Sequence, residues 1–279
     1  RLAAGIVAAQ PGRTGAVVSV RADSVHHGAV TRPLLEGKVA IITGASQGLG
    51  ACLARVFARA GARVVLAART LDKLEALAED IGRDSALAVQ TDVSDESSVR
   101  EMVRRTLERF GRLDAAVNNA VTGSMPAPLA EVATPDFDSA YAVNLRGTFV
   151  CMKYQIPPML EAGRGVVVNV ISTAGVRAWM GLSAYAATKA GIDVLTKVAA
   201  LDYGAKGIRC NTIAPGPIDT DRIAGLPEEQ RGEIARAVPL MKIARPEEVA
   251  NLAAWLCSDF ASYVTGATIP VDGGQLARI

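Results

Sequence analysis

From residue 37 onwards, short apolar runs alternate with stretches of helical periodicity. The apolar runs are continuous in Val, Ile, Leu and Ala, which is typical of strands buried on both faces. The predicted strands are Val39–Ile42, Arg63–Ala67, Leu87–Gln90, Ala115–Val117, Val166–Ile171, Ile208–Ile213 and Thr268–Val271. The predicted helices are Gly48–Ala60, Asp72–Ile81, Asp95–Phe110, two stretches within 135–162, Ala184–Lys206 and Pro246–Ser258. Helical crossovers between buried strands predict an α/β fold: a single doubly wound, Rossmann-like domain whose parallel sheet has helices on both faces.

Residues 1–34 lack this alternation. They contain four arginines but a single acid, Asp23, and Pro11 interrupts their apolar stretches, so they form no secretory signal segment. We therefore expect a flexible N-terminal extension at 1–34, followed by a single α/β domain at 35–279. The low acid content leaves an organelle-targeting segment open as an alternative.

Composition excludes several kinds of partner. Lys and Arg total 30 against 28 Asp and Glu, and no long run of like charge occurs, so we expect neither nucleic acid nor a membrane surface as a partner. No apolar run reaches the ~18 residues of a membrane span. The four cysteines are widely spaced among apolar neighbours, which predicts reduced core thiols in a cytoplasmic protein.

A glycine-rich turn, Thr43-Gly-Ala-Ser-Gln-Gly-Leu-Gly50, links the first predicted strand to the first helix. Glycine lacks Cβ and permits both a tight turn and a close approach of the backbone to a pyrophosphate. The helix N-terminus adds free N–H groups and partial positive charge. We therefore predict a dinucleotide site here, and its candidate residues are Gly44, Ser46, Gln47, Gly48, Leu49 and Gly50.

Tyr185 and Lys189 stand four residues apart at the start of a predicted helix, so they share one helical face. A cation beside a phenol favours the phenolate, which a general acid/base requires. The pair alone is weak, since Tyr and Lys meet on helices by chance. Ser172 follows a buried strand and precedes Tyr185 by 13 residues.

These motifs, from about Gly37 to Gly274, resemble those of the short-chain dehydrogenase/reductase family, whose glycine motif has the spacing G-x-x-x-G-x-G. The resemblance implies that Tyr185 moves the proton, that Ser172 stabilises the substrate oxygen and that Asn144 holds a water linking Lys189 to solvent. It also implies a homo-oligomer, with two long helices pairing in a tetramer.

The resemblance further assigns cofactor contacts in four segments after the glycine turn. Asp92 would meet the adenine ring, although Asp92 or Ser94 could simply cap the following helix. Val121 stands where relatives often carry Gly, which changes the local backbone. The implied contacts are Asp92, Val93, Asn119, Ala120, Tyr185, Lys189, Pro215, Gly216, Ile218 and Thr220.

The end of the second strand bears on cofactor choice. An acid there would bind the adenosine ribose and repel a 2′-phosphate. This chain has Ala68 at that position, followed by Arg69 and Thr70, so NADP(H) is the preferred prediction and NAD(H) stays possible. Gln47 weakens the prediction because many NADP-preferring relatives carry a basic residue there.

Three residues separate the Tyr and the Lys, which in this family favours alcohol/carbonyl chemistry over enoyl reduction. We therefore expect an oxidoreductase acting on a small-molecule alcohol or carbonyl, and no metal. One alternative is a non-catalytic dinucleotide-binding regulator or scaffold, although Asn144, Ser172, Tyr185 and Lys189 are all present. Another is an epimerase or dehydratase that retains its nicotinamide. The substrate stays open: the expected pocket and lid segments are 122–129, 176–182 and 222–241, and they are mostly apolar.

Overall fold

A computed structural model describes residues 33–123 and 125–277, so the predicted extension at 1–34 lies outside the described residues except for its last two positions. Seven parallel strands form one sheet in the order β3-β2-β1-β4-β5-β6-β7. The strands are β1 (Val39–Thr43), β2 (Arg63–Ala68), β3 (Ala86–Gln90), β4 (Ala115–Asn118), β5 (Gly165–Val170), β6 (Ile208–Pro215) and β7 (Thr268–Val271). The predicted parallel, doubly wound fold is confirmed.

The helices are α1 (Gly48–Arg59), α2 (Leu71–Ile81), α3 (Glu96–Phe110), α4 (Thr134–Ala140), α5 (Gly147–Glu161), α6 (Ser183–Tyr203), α7 (Asp221–Ala224), α8 (Glu228–Arg236) and α9 (Pro246–Cys257). A π-helical turn, Tyr141–Arg146, joins α4 to α5. All predicted elements are present, with small shifts at their ends. α7 and α8 lie in a segment that the sequence identifies only as pocket or lid.

The core lies on both faces of the sheet. One apolar cluster joins the strands to α1 and α9 through residues such as Leu53, Phe57 and Val249, and a second joins them to α3, α5 and α6 through Met102, Ile156 and others. Strands β1, β4 and β5 are buried along their whole length, which explains their continuous apolar sequence. Each fully buried large side chain stabilises the fold by roughly 1.5–3 kcal/mol.

This topology fixes where a ligand can bind. Crossovers run in opposite directions from β1 and β4, so a crevice opens at the carboxyl ends of these neighbouring strands. All four cysteines are buried and free, as predicted, and burial raises the pKa of the Cys151 thiol to about 12. Within the described residues, no helix is long and apolar enough to cross a membrane.

Candidate active site

The turn between β1 and α1 forms the first wall of the crevice. Gly44 and Gly48 both have positive φ (69° and 53°), which glycine adopts without strain. The N-cap residue of α1, Gln47, makes no side-chain capping hydrogen bond, and the first turn of the helix carries no acid. The N-terminal end of α1 therefore offers N–H donors and partial positive charge to an anion.

Two glycines of this turn serve its internal packing. A Cβ on Gly50 would lie 2.0 Å from the Gly44 carbonyl oxygen, and a Cβ on Gly44 would lie 2.9 Å from Ala120 Cα. Thr43, which the sequence analysis does not assign to the site, is buried, and its Oγ1 accepts from the N–H groups of Asn119 and Ala120 at 2.9 and 3.1 Å. The turn and the end of β4 thus form one locked unit. Thr43 is the first residue of the glycine motif, so its position in the sequence could have identified it as part of the site.

Ala68, Arg69 and Thr70 follow at the carboxyl end of β2, and the Arg69 side chain is exposed. Lys73, on the first turn of α2, approaches Gln47 with its Nζ 3.4 Å from Oε1. The residues next to Gln47 in the sequence provide no second cation, whereas the fold brings Lys73 beside Gln47. This edge of the crevice therefore carries two cations.

After β3, the Asp92 Oδ1 accepts hydrogen bonds from both the N–H and the hydroxyl of Ser94. Neither residue caps α3: the N-cap is Asp95, whose carboxylate accepts from the Ser97 N–H at 2.9 Å. The capping alternative for Asp92 and Ser94 is thus wrong. Asp92 and Val93 line the crevice, and their contact with an adenine ring stays a prediction.

Ser172 begins the turn after β5. Its Oγ accepts from the Ala174 N–H at 3.1 Å, so its hydroxyl hydrogen is available to a bound oxygen. A Cβ on Gly175 would lie 2.8 Å from Lys189 Cβ, so this turn packs directly on α6. Ser172 and Tyr185 line the same cavity.

Lys189 is 2 % exposed, and its Nζ donates to the Val170 carbonyl at 2.8 Å. The Nζ lies 5.7 Å from the centre of the Tyr185 ring, which agrees with the predicted shared helical face. Burial lowers the pKa of Lys189 to about 7. The charge of Lys189, which the sequence predicts to favour the phenolate, is therefore sensitive to pH near neutrality.

Asn144 lies inside the π-helical turn and is fully buried. Its Oδ1 accepts from the Thr122 N–H at 2.8 Å, and its Nδ2 donates to the Thr122 carbonyl and to Thr188 Oγ1 at 3.0 and 3.2 Å. Both amide hydrogens therefore have protein partners. The side chain clamps the segment after β4 to α6, and neither of its amide hydrogens is available to a relay water.

The segment after β6 forms a further wall of the crevice, beside the glycine turn. A Cβ on Gly216 would lie 2.9 Å from Asp272 Cα, so glycine is required by packing there. Ile218 pairs with Ala244 in a short parallel bridge, and a Cβ on Gly48 would meet Thr220 at 3.4 Å. Pro215, Gly216, Ile218 and Thr220 all line the crevice.

A single cavity of about 840 Å³ joins these walls. Every predicted catalytic or cofactor residue lines it, apart from Asn144, which lies behind the wall, whereas no residue of the expected pocket segment 176–182 does. The cavity runs from the two cations near β2, past the glycine turn, to Ser172 and Tyr185. Its volume and the backbone donors of the glycine turn fit a dinucleotide. Across the described ranges, no cluster of three or more His, Cys, Asp or Glu could hold a metal ion.

Comparison with known proteins agrees with this geometry. A family model described as enoyl-(acyl carrier protein) reductase matches residues 44–275. The chain is 43 % identical over 242 residues to cis-4-hydroxycyclohexanecarboxylate dehydrogenase of Sinomonas cyclohexanicum, covering 86 % of this chain and 97 % of that protein. It is 37 % identical over 244 residues to 3-oxoacyl-(acyl-carrier-protein) reductase of Thermotoga maritima, covering 86 % and 98 %.

The crystal structure of levodione reductase superposes with a TM-score of 0.84 at 36 % identity, covering 88 % of this chain and 100 % of that one. The curated relatives named here are a dehydrogenase of a hydroxy compound and a reductase of an oxo compound, so the match extends to the reaction class as well as to the fold. The chain therefore belongs to the short-chain dehydrogenase/reductase family and is an NAD(P)-dependent oxidoreductase acting on CH–OH groups.

Proposed function

We propose that the protein interconverts a neutral secondary alcohol and its ketone with NADP(H), using Tyr185 as the general acid/base. The observation that carries this proposal is the single cavity, with Ser172, Tyr185 and Lys189 at one end and Arg69 at the other. Retention of all these groups disfavours the regulator or scaffold alternative.

The roles of the side chains follow from their contacts. When bound, the nicotinamide ring gives or takes the hydride. The Tyr185 hydroxyl gives a proton to the carbonyl oxygen during reduction and takes it back during oxidation. Ser172 donates its hydroxyl hydrogen to the same oxygen, because its Oγ already accepts from Ala174. Lys189 in its protonated form favours the phenolate, and Asn144 holds the wall behind them.

The preference for NADP(H) rests on charge at the β2 edge. Arg69 and Lys73 supply two cations, and Ala68 leaves room for a 2′-phosphate. A charge-assisted hydrogen bond from Arg69 contributes about 1.5–3 kcal/mol, or roughly 10- to 150-fold in affinity. Asp72 lies beside Lys73 and reduces the local positive potential.

Calorimetric titration with 2′,5′-ADP and with 5′-AMP tests this preference without turnover. We expect 2′,5′-ADP to bind more tightly, Arg69→Leu to abolish the difference and Lys73→Met to reduce it severalfold. Ala68→Asp combined with Arg69→Leu should reverse the ratio of kcat/KM toward NADH. Arg59→Leu, at the far end of α1, is the matched control. Equal binding of the two nucleotides by the unmodified protein would show that Arg69 is only a solvated strand end.

The lining of the cavity favours a neutral substrate. Beyond the catalytic groups, its wall is formed by Val121, Ile223, Leu226 and Ile234. Arg69 at the adenosine end and the buried Lys189 are the cations among its described lining residues, so a carboxylate entering near Ser172 would lose water without a partner. The relatives include a dehydrogenase named for a hydroxycyclohexanecarboxylate, which makes 4-oxocyclohexane compounds, with and without a free carboxylate, suitable probes.

A matched pair tests this point: methyl 4-oxocyclohexanecarboxylate against the free 4-oxocyclohexanecarboxylate. We expect kcat/KM for the ester to be at least about 30-fold higher, consistent with the cost of an unpaired polar group. Ile234→Lys should narrow the ratio by improving turnover of the acid. If the unmodified protein preferred the acid, the proposal of a neutral substrate would be wrong. The proposed reaction and the proposed cofactor would be unaffected.

We also propose an oligomeric state and a cellular location for the protein. The α6 residues Val194, Val198 and Leu201 and the α5 residue Phe149 are exposed, a pattern that fits helix pairing in a homotetramer. Light scattering should therefore give a mass of about four 29.0 kDa chains. A monomer at micromolar concentration would contradict it. The buried reduced thiols fit a cytoplasmic location.

A further inference from the structure

The C-terminal turn 272–277 reaches the catalytic serine. The Asp272 carboxylate accepts from the N–H groups of Gly274 and Leu276 at 2.9 and 2.7 Å, which closes the turn. The closed turn presents Gln275, whose Oε1 accepts from the Thr173 hydroxyl at 3.1 Å. Thr173 is the residue directly after Ser172.

Thr173 belongs to the short 3-10 turn 173–175 that Ser172 caps. This turn is pressed onto α6 at Lys189, because Gly175 has no room for a Cβ there. Thr173 is 5 % exposed, so its hydroxyl is shielded from water. The serine turn is thus held on one side by α6 and on the other by Gln275.

The same C-terminal turn also contacts the segment that follows α8. The Leu240 N–H donates to the Gly273 carbonyl at 3.2 Å, and a Cβ on Gly273 would lie 2.5 Å from Val238 Cγ1. Gly216, in the cofactor wall, packs against Asp272. Gln275 therefore stands where the serine turn, the cofactor wall and the lid meet.

We infer that Gln275 is a positioning residue that fixes the Ser172 hydroxyl through Thr173. The inference rests on the proposed role of Ser172. Without the hydrogen bond, the serine turn loses its contact with the C-terminal turn, and Oγ moves relative to the substrate oxygen. Small misplacements of this kind lower the rate of the chemical step more than they lower binding. Cofactor affinity should not change, because Gln275 does not line the cavity.

The test combines Gln275→Leu with Thr173→Val in a double-mutant cycle, with Thr173→Ser as the conservative control that keeps the hydroxyl. We expect kcat to fall about tenfold in each single variant and no further in the double variant. Thr173→Ser should stay within about twofold of the unmodified protein. NADPH affinity, measured by fluorescence titration, should be unchanged and serves as the check on folding.

The Ser172→Ala background separates positioning from general support of the fold. If Gln275 acts through Ser172, Gln275→Leu has no further effect on kcat when Ser172 is already Ala. Additive losses, or a normal kcat in folded Gln275→Leu, would overturn the inference. If Ser172→Ala itself turns over normally, the proposed role of Ser172 fails instead. Should Gln275→Leu not fold, Thr173→Val in both serine backgrounds gives the same decision.

Discussion

The floor and the lid of the crevice are built differently. The floor comprises the glycine turn, the end of β4, the serine turn and the start of α6. These parts of the floor are joined by backbone contacts that leave no room for a Cβ. They are also joined by short hydrogen bonds to buried groups such as Thr43 and Asn144. The lid, residues 222–241, contains most of α7, which is four residues long, and all of α8, which buries none of its described side chains.

Several contacts tie the lid to the rest of the molecule. They include the bond of the Leu240 N–H to the Gly273 carbonyl at 3.2 Å and an ion pair between Arg231 and Asp219 at 3.3 Å, whose side chains are 30 % and 40 % exposed. A half-exposed ion pair contributes little. The proposed reacting groups thus stand on a part of the protein that close backbone packing holds in place. The residues expected to select the substrate lie partly in the lid, where α8 buries none of its described side chains, so rearrangement costs less there.

The largest expected effect concerns a floor hydroxyl. Tyr185→Phe keeps the ring but removes the proton donor, so kcat should fall by about 100- to 10,000-fold. Cofactor affinity, measured by NADPH fluorescence, should change little because the helix is unchanged. Turnover at the level of the unmodified protein would refute the assignment of Tyr185 as acid/base.

The second largest effect is expected at a backbone contact in the floor, between Gly50 and the Gly44 carbonyl. Gly50→Ala places a Cβ 2.0 Å from the Gly44 carbonyl oxygen, so the turn must open. We expect a loss of about 3 kcal/mol in the free energy of unfolding, together with a loss of cofactor binding. Urea titration and calorimetry measure the two effects. Unchanged stability would mean that the turn is no more rigid than the lid.

The buried lysine predicts a dependence of floor stability on pH. Because burial lowers the pKa of Lys189 to about 7, the unfolded chain binds more protons than the folded chain between about pH 7 and the pKa of a free lysine, about 10.4. This group therefore makes the protein more stable as pH rises through that window, by at most about 1.4 kcal/mol per pH unit.

The check is urea unfolding of the unmodified protein and of Lys189→Met at pH 7, 8 and 9, without cofactor. The difference in unfolding free energy between the two proteins should change with pH in this direction. Lys206→Met, at the exposed end beyond α6, is the control and should leave the dependence intact. Parallel curves for Lys189→Met and the unmodified protein would contradict a buried, shifted lysine.

The smallest effect is expected in the lid. A Cβ at Gly232, in the middle of α8, meets only the flexible Arg236 side chain at 3.2 Å. Gly232→Ala should thus stabilise α8 by no more than about 1 kcal/mol, through helix propensity alone. Hydrogen exchange should slow within α8, with the melting temperature almost unchanged. A loss of stability comparable to that of Gly50→Ala would break the distinction between floor and lid.

Several features followed from the sequence because they depend on local pattern. The strands were recognisable from continuous apolar runs, as in β5, and their alternation with helices implied a parallel sheet. The glycine spacing and the Tyr185–Lys189 spacing identified the crevice and the reaction class. These signals survive folding because each depends on a backbone period or on a residue type at a fixed separation.

Other features are decided only by tertiary structure, because they join residues far apart in the chain. Burial lowers the pKa of Lys189, and no local pattern encodes the packing above it. The approach of Lys73 to Gln47 depends on how α2 lies against the glycine turn. The bond between Thr173 and Gln275 spans 102 residues, and it forms because β5 and β7 bring their following turns to the same edge of the sheet. Residue types and short spacings thus determined the fold and the chemistry, whereas the packing of distant elements determined the electrostatics and the supports of the site.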